Sequence, residues 1–197
     1  PCKPECDTTL KPIETDPASA AKLLDEAGWR DTDKDGIRDR NRHKMEVEML
    51  YSSNQALWAD IATLIVDAFA KTGITIRAVA MESKTLSDKG KSHDFDMILG
   101  SIGDNPEPLF YDQMWSTNAW VNHFNNITGF GDSRTDLLID SIDRAKTWDE
   151  RFRLSRSMQR LLYDEEPMIV LYNTLQRNII HKRWGNVTIE RENPGVH

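Results

Sequence analysis

The chain has 197 residues, of which 39% are hydrophobic and 29% are charged, and its formal net charge is −7 at pH 7. This length and composition suit one globular domain with its own core and exclude a disordered protein. The negative charge argues against a nucleic-acid-binding protein, because binding to phosphates requires a basic surface. No stretch approaches the roughly 18 consecutive apolar residues of a membrane-spanning helix.

The first residues and the cysteines say little about chemistry. The chain begins Pro1-Cys2-Lys3-Pro4, which lacks the charged and then apolar pattern of a signal peptide, so we expect an excised part of a longer protein. Cys2 and Cys6 have neither the spacing of a CxxC redox motif nor a second pair that would complete a zinc site. A local disulfide and two free thiols both stay open.

Residues 1–100 alternate between helix and strand patterns. Asp16-Pro17 is typical of a helix start and Gly28 of a helix end, which predicts a helix over residues 17–27. A strand, a helix and a strand in succession predict a right-handed parallel crossover, and hence an α/β fold with a mostly parallel sheet flanked by helices. The further predicted elements are a strand at 47–51, a helix at 57–69, a strand at 74–79, a short helix at 83–89 and a strand at 95–99.

Residues 101–131 form the longest region without a clear period. Its prolines, glycines, asparagines and scattered aromatic residues predict an irregular segment, and such segments often carry function. Two helices are predicted to follow, the first capped by Asp132 or Ser133 and the second by Thr147. The apolar run at 168–172 predicts a short buried strand.

The common motifs of catalytic sites are missing from the sequence. It contains no phosphate-binding loop, no GxGxxG after a strand and no HExxH, and its five histidines lack metal-ligand spacing. Asp94 and Asp96 flank Phe95 and would lie on the same side of a strand, as a carboxylate pair for acid–base chemistry would. The alternative is a polar entrance to that strand.

An acidic loop at residues 31–39 resembles a calcium-binding loop, with a glycine at the sixth position. Arg42 occupies the twelfth position, where such loops carry a bidentate glutamate. A turn whose carboxylates accept hydrogen bonds from their own backbone is the alternative, and both interpretations stay open. The candidate calcium ligands are the carboxylates of Asp31, Asp33, Asp35 and Asp39 and the backbone carbonyl of Ile37.

Several short motifs then occur in a fixed order. That order resembles the C-terminal lobe of family 5 of the extracellular solute-binding proteins, which serve ABC-type importers of peptides. The resemblance covers nearly the whole chain. Its motifs are Asp16-Pro17 with residues 21–29, the acidic loop at 33–39, Thr72-Gly73-Ile74, Phe95-Asp96-Met97, residues 103–108, Asp136-Leu137-Leu138, Asp149-Glu150-Arg151 and residues 167–172.

This resemblance implies one lobe of a two-lobed, type II periplasmic-binding-protein-like fold. Residues 1–197 would supply the C-terminal ligand-binding lobe, and the N-terminal lobe would be absent. The family's lobes close on a peptide or similar small solute without chemistry, need no cofactor and deliver the ligand to an ABC-transporter permease in the membrane. A periplasmic or extracellular location, often with a lipid anchor, is also implied.

The resemblance further implies a ligand-binding residue. In the peptide-binding members, the aspartate of a GDN-like stretch after a strand meets the ammonium group of the peptide, and Asp104 matches that position. Gly103, Asn105 and Ser101 complete the candidate set. A desolvated carboxylate pairs strongly with a cation, although Asp104 would also suit a turn beside Pro106. Peptide binders usually carry Trp where this chain has Ser101, so a peptide, an oligosaccharide and a metal chelate all stay open.

Three classes of function are compatible with the sequence. The first is the solute-binding component of an importer, which the motif order favours. The second is a glycosidase-like or peptidase-like hydrolase, and turnover of peptides or glycosides would identify it. The third is a calcium-binding interaction domain, which chelators would separate from its partner. The carboxylates available to a hydrolase are Asp94, Asp96, Asp104 and Glu107.

Overall fold

The computed structural model describes residues 6–101, 111–121, 126–172 and 180–185. The chain divides into two compact units, where the composition suggested one. We call Pro12–Ser101 the sheet unit, and Pro1–Lys11 together with Ile102–His197 the helical unit. Within the described ranges, no helix combines the length and apolar character needed to cross a membrane.

The sheet unit confirms the predicted alternation of helices and strands and adds a small hairpin. The elements are α1 (Pro17–Glu26), β1 (Asp39–Arg40), β2 (His43–Lys44), β3 (Glu46–Ser52), α2 (Ala56–Ala70), β4 (Thr75–Met81), α3 (Ser83–Ser92) and β5 (Met97–Leu99). β3 lies at the centre of a three-stranded parallel sheet with the order β4-β3-β5. Parallel strands need long crossovers, and helices α2 and α3 supply them.

The core of the sheet unit lies on both faces of β3. Met49 is 1% exposed and its neighbour Leu50 is not exposed, although successive residues of a strand point to opposite faces. The buried faces of the helices are narrower than their apolar patterns predict. Leu24 of α1 packs against the core, but Leu23 of α1 and Leu64 of α2 are both largely exposed. A three-stranded sheet is too small to cover every apolar position of its helices.

Arg38 connects three segments of the sheet unit. Its Nη1 donates to the carbonyl oxygen of Trp29 at 2.7 Å and to Oδ1 of Asp25 at 2.5 Å, beside the end of α1. Its Nε donates to the carbonyl oxygen of Thr72 at 2.7 Å, and its backbone N–H to that of Gly73 at 2.8 Å, after the end of α2. The planar guanidinium group suits such divergent acceptors.

The helical unit contains α4 (Tyr111–Trp115), α5 (Thr117–Val121), α6 (Ser133–Arg144) and α7 (Trp148–Glu165) among its described residues. Asp132 caps α6 as predicted and forms a capping box with Thr135. Thr147 caps α7 by accepting from the backbone of Glu150. The core between these helices contains Ile139, Ile142 and Met158.

Buried polar groups join α4 and α5 to the turn that precedes α6. The amide of Asn126, which is 3% exposed, donates to the carbonyl oxygens of Ser116 at 3.3 Å and Phe130 at 2.8 Å. Gly131 is required in this turn, because a Cβ there would lie 2.9 Å from the carbonyl oxygen of Trp115. Satisfied buried hydrogen bonds of this kind define one geometry for the segment.

The start of the described chain packs on α7. The backbone N–H of Asp7 donates to Oε1 of Gln159 at 2.8 Å, and Arg160 pairs with the Asp7 carboxylate at 2.9 Å. Arg156 donates to the carbonyl oxygen of Cys6. Cys6 is disulfide-bonded, so the structure favours the disulfide over a free thiol at this position.

Two sequence predictions in the helical unit are wrong. Residues 168–172 form no strand and are exposed, with Ile169 at 68% and Val170 at 66%. An apolar run becomes a buried strand only where a sheet edge accepts it, and the strands of the described residues pair only within the sheet unit. Residues 111–121 form two short helices instead of an irregular segment. The sequence analysis missed them because a helix of five residues is too short to show a helical period.

We expect replacement of Arg38 by leucine to destabilise the sheet unit by about 2–4 kcal/mol, because two carbonyl oxygens in partly buried hydrogen bonds lose a charged donor. Arg38→Lys should recover only part of this loss, since an ammonium group cannot reach all three acceptors. Chemical denaturation monitored by circular dichroism measures the effect. Arg30→Ala, at an exposed position, is the control, and equal stability of the Arg38→Leu and Arg30→Ala variants would contradict the assigned role.

We also expect the helix caps to make the fold acid-sensitive. A hydrogen bond from the Ser19 hydroxyl lowers the pKa of Asp16 below its ordinary 3.8, and one from the Arg134 side chain lowers the pKa of Asp132. A lowered folded-state pKa stabilises the fold above the unfolded pKa, and this contribution disappears as the pH falls through the folded value. Thermal denaturation below about pH 4 should therefore depend less on pH in the Asp16→Asn/Asp132→Asn variant than in the wild type. Parallel curves would contradict this.

Candidate functional site

The three parallel strands end at one edge of the sheet, which we call the carboxyl edge. It comprises the residues at and after the strand ends: 52–54 after β3, 82–83 after β4 and 100–101 after β5. All of these except Ser52 are exposed. Because the strands are parallel, three separate stretches of sequence bring their polar groups to the same place.

The carboxyl edge includes a topological switch point. The chain passes from β3 to β4 on one side and then crosses to β5 on the other side of β3. Ligands of open α/β sheets bind beyond the carboxyl ends of the strands at such a point. Tyr51 of β3 pairs with Leu99 of β5, so Ser101 leaves the sheet directly beside the loop that follows Ser52.

A hydroxyl pair joins two loops of the carboxyl edge. The Oγ atoms of Ser52 and Ser83 lie 2.8 Å apart, and the Ser52 Oγ also accepts from the backbone N–H of Asn54 at 3.5 Å. The backbone N–H of Ser53 donates to the carbonyl oxygen of Met81 at 2.8 Å. The sequence analysis missed these residues. Polar residues directly after each predicted strand would have revealed them, because parallel strands end at a common edge.

The predicted ligand-binding residues divide into two groups. Ser101 lies at the carboxyl edge and is exposed. Gly103, Asp104 and Asn105 lie outside the described residues, so their role stays a prediction. The stretch that contains them starts beside the switch point after β5 and ends at Tyr111, the first residue of α4.

Asp94 and Asp96 lie at the opposite end of β5. The Lys89 ammonium group pairs with the Asp94 carboxylate at 2.5 Å, and Oδ2 of Asp96 accepts from the backbone N–H of Glu48 at 2.9 Å. The three strand residues of β5 and Gly100 lie between Asp96 and Ser101, so an extended chain at about 3.3 Å per residue separates the two by about 16 Å. The structure therefore favours a polar strand entrance over a catalytic pair. The other two hydrolase candidates, Asp104 and Glu107, lie outside the described residues.

The carboxylates of the acidic loop accept hydrogen bonds from the loop itself. Both oxygens of Asp39 accept from Thr32, at distances of 2.8–2.9 Å. Asp31 accepts from the backbone N–H of Gly36 at 3.0 Å, and Asp35 from that of Ile37 at 2.9 Å. Oxygen atoms of Asp31, Asp33 and Asp39 lie within 4.8 Å of one another, so the structure brings together three of the five predicted calcium ligands.

The surroundings of this loop support a turn and not a calcium site. The Lys44 ammonium group pairs with Asp33 at 3.4 Å and with Asp35, so a protein cation already offsets part of the charge of these carboxylates. Asn41 and Arg42 both have positive φ angles, 53° and 67°, in the two-residue turn between β1 and β2. The position where a calcium loop needs its bidentate glutamate is thus part of a hairpin turn.

Comparison with known proteins assigns the chain to a family. Residues 4–122 match the profile of the bacterial extracellular solute-binding proteins, family 5 Middle. The oligopeptide-binding protein AppA of Bacillus subtilis is 25% identical over 173 residues, which are 84% of this chain and 31% of AppA. A dipeptide-binding protein of Pseudomonas aeruginosa is 28% identical over 165 residues, which are 82% of this chain and 29% of that protein.

A solved structure shows the same fold. NikZ from Campylobacter jejuni, crystallised in complex with Ni(L-His), is similar with a TM-score of 0.73 at 22% identity, over 82% of this chain and 33% of NikZ. The predicted fold class, a parallel sheet flanked by helices as in type II periplasmic binding proteins, is confirmed. The chain spans about a third of the length of the curated relatives it matches. It belongs to family 5 of the bacterial extracellular solute-binding proteins.

Proposed function

We propose that this chain is a ligand-binding lobe of a receptor that captures a peptide or similar small solute and delivers it to an ABC-type permease. One observation carries the proposal: the stretch with the candidate ligand residues leaves the sheet at the topological switch point, where α/β sheets bind ligands. The family is one of extracellular proteins, in agreement with the expected location outside the cytoplasm.

Within this proposal, the ligand carries an ammonium group that pairs with Asp104. One observation and one physical argument support a peptide. The curated relatives from Bacillus subtilis and Pseudomonas aeruginosa are named for oligopeptide and dipeptide binding. A carboxylate also distinguishes a ligand with an ammonium group from one without, because a closing site excludes the water that would otherwise solvate the unpaired charge.

A second lobe would cover the exposed apolar segment at 168–172. Its five consecutive apolar residues have exposed fractions between 38%, at Met168, and 68%, at Ile169. Together they form a patch of the kind that marks a protein interface. The relatives are about three times as long as this chain, which leaves room for another lobe in a receptor of their size. In the proposed receptor this segment contacts that lobe and the carboxyl edge contacts the ligand.

The same proposal makes the chain non-catalytic and independent of a resident metal ion. Asp94 and Asp96 are bound to neighbouring groups at the edge of the sheet remote from Ser101, which supports a structural role for both. The acidic loop is a turn whose carboxylates are occupied by backbone donors and by Lys44. Capture and release of a solute require closure and opening of lobes, without bond chemistry.

Asp104→Ala should weaken binding of alanine peptides of two to five residues by about 2–5 kcal/mol, because a desolvated ammonium group loses its charged partner. Isothermal titration calorimetry of the whole protein measures this loss. Asp104→Asn should lose nearly as much, since it keeps the size and removes the charge.

Asp94→Asn is the matched control for this experiment. It removes one carboxylate from the amino end of β5, the strand that leads into the Asp104 stretch, and should leave peptide affinity unchanged. Wild-type affinity in the Asp104 variants would show that Asp104 does not bind the ammonium group. Product formation from the peptides at a protein-dependent rate would contradict the proposed function as a non-catalytic receptor.

Chelation should leave the acidic loop unaffected. We expect the melting temperature to be the same in EGTA as in millimolar calcium, because the loop carboxylates accept hydrogen bonds from the loop itself and Lys44 pairs with Asp33. Differential scanning calorimetry of the wild type and of Lys44→Ala tests this. A calcium-dependent rise of the melting temperature in the wild type, larger than that with magnesium, would show that the loop binds the ion.

A further inference from the structure

We propose that Ser52 and Ser83 are positioning residues for ligand binding. Their hydroxyl pair holds the β3–α2 loop and the β4–α3 loop together, so that the polar groups of the carboxyl edge face the ligand as one surface. The inference rests on the proposed function, in that the carboxyl edge faces the solute. It assigns the positioning of the polar groups that face the ligand to residues of the carboxyl edge that lie outside the Asp104 stretch.

Ser52 lies at the centre of this arrangement. It is the last residue of β3, is 9% exposed and pairs in register with Met81, the last residue of β4. Its Oγ lies 2.8 Å from that of Ser83 in the first turn of α3 and accepts from the backbone N–H of Asn54. The hydroxyl of one buried residue thus contacts both loops, and a partly buried hydrogen bond of this kind is costly to leave unmade.

Among the described residues, the edge beside Ser52 is open. Extension of the register from Tyr51 and Leu99 places Gly100 next to Ser52 on the β5 side. A Cβ added at Gly100 would meet no described atom within 4 Å. The described residues therefore leave space between the hydroxyl-bonded loops and the point where Ser101 leaves the sheet.

The exposed groups around this space define the chemistry of the solute that would fit. Four of them are neutral side chains that both donate and accept hydrogen bonds, and Glu82 adds one carboxylate. Such a surface suits the backbone amides of a peptide or the hydroxyls of a polar solute more than a charged side chain. The neutral residues are Ser53, Asn54, Ser83 and Ser101.

The first experiment needs no ligand. In Ser83→Ala, hydrogen exchange followed by mass spectrometry should show faster exchange of the amides at 53–56, which belong to the β3–α2 loop and the first residue of α2. A hydroxyl that stabilised only its own helix would leave those amides unchanged. Ser92→Ala is the matched control, because it removes a hydroxyl from the far end of the same helix and should leave exchange at 53–56 unchanged.

The second experiment measures affinity for the alanine peptide that the wild type binds best. Ser52→Ala and Ser83→Ala should each weaken binding about fivefold, as for one uncharged hydrogen bond, and the double variant should be no weaker than the single ones. Ser92→Ala and Ile76→Val, a core change in β4, should keep wild-type affinity even where the melting temperature falls.

The two readouts separate this inference from the proposed function. Unchanged exchange at 53–56 in Ser83→Ala overturns the inference, and so does faster exchange with unchanged peptide affinity. A wild-type protein that binds none of the peptides contradicts the proposed function, while the exchange experiment still decides whether the hydroxyl pair couples the loops.

Discussion

The parallel pairing of β3 with both β4 and β5 determines the rest of the sheet unit. Parallel neighbours cannot be joined by tight turns, so α2 and α3 must return the chain and thereby cover the sheet. The same constraint gathers all three strand ends at one edge. The candidate site is a consequence of that geometry, because its polar residues come from three distant stretches of sequence.

In both units, one side chain donates hydrogen bonds to backbone carbonyl oxygens at the ends of segments. In the sheet unit, Arg38 satisfies carbonyl oxygens at the ends of two helices with a single guanidinium group. In the helical unit, the amide of Asn126 has a similar role in the turn before α6. Arg38 fixes the ends of α1 and α2, and Asn126 fixes the segment between α4 and α5. A binding protein needs such fixed borders, since affinity depends on groups that are already in place.

The acidic loop shows how little a motif determines without its neighbours. Its spacing of carboxylates and glycine suits both a calcium loop and a turn. Lys44 lies outside the motif and pairs with Asp33 and Asp35, and the hairpin at Asn41 and Arg42 removes the position of the missing glutamate. Local residue types offered two answers, and contacts with the adjacent strand favoured one of them.

The sequence by itself determined the local elements. The helix caps at Asp16 and Asp132, the helical period and the β-branched residues of the strands act between residues that are close in sequence. The motif order that identified the family was also present in the sequence. Only the tertiary structure decided which apolar residues are buried, because Leu64 and the run at 168–172 needed partner surfaces that the described chain does not supply. The sequence could place Ser52 and Ser83 at a common edge, as residues that follow two parallel strands, but only the tertiary structure decided that their hydroxyls are in contact, since residues 31 positions apart meet only through the pairing of the strands.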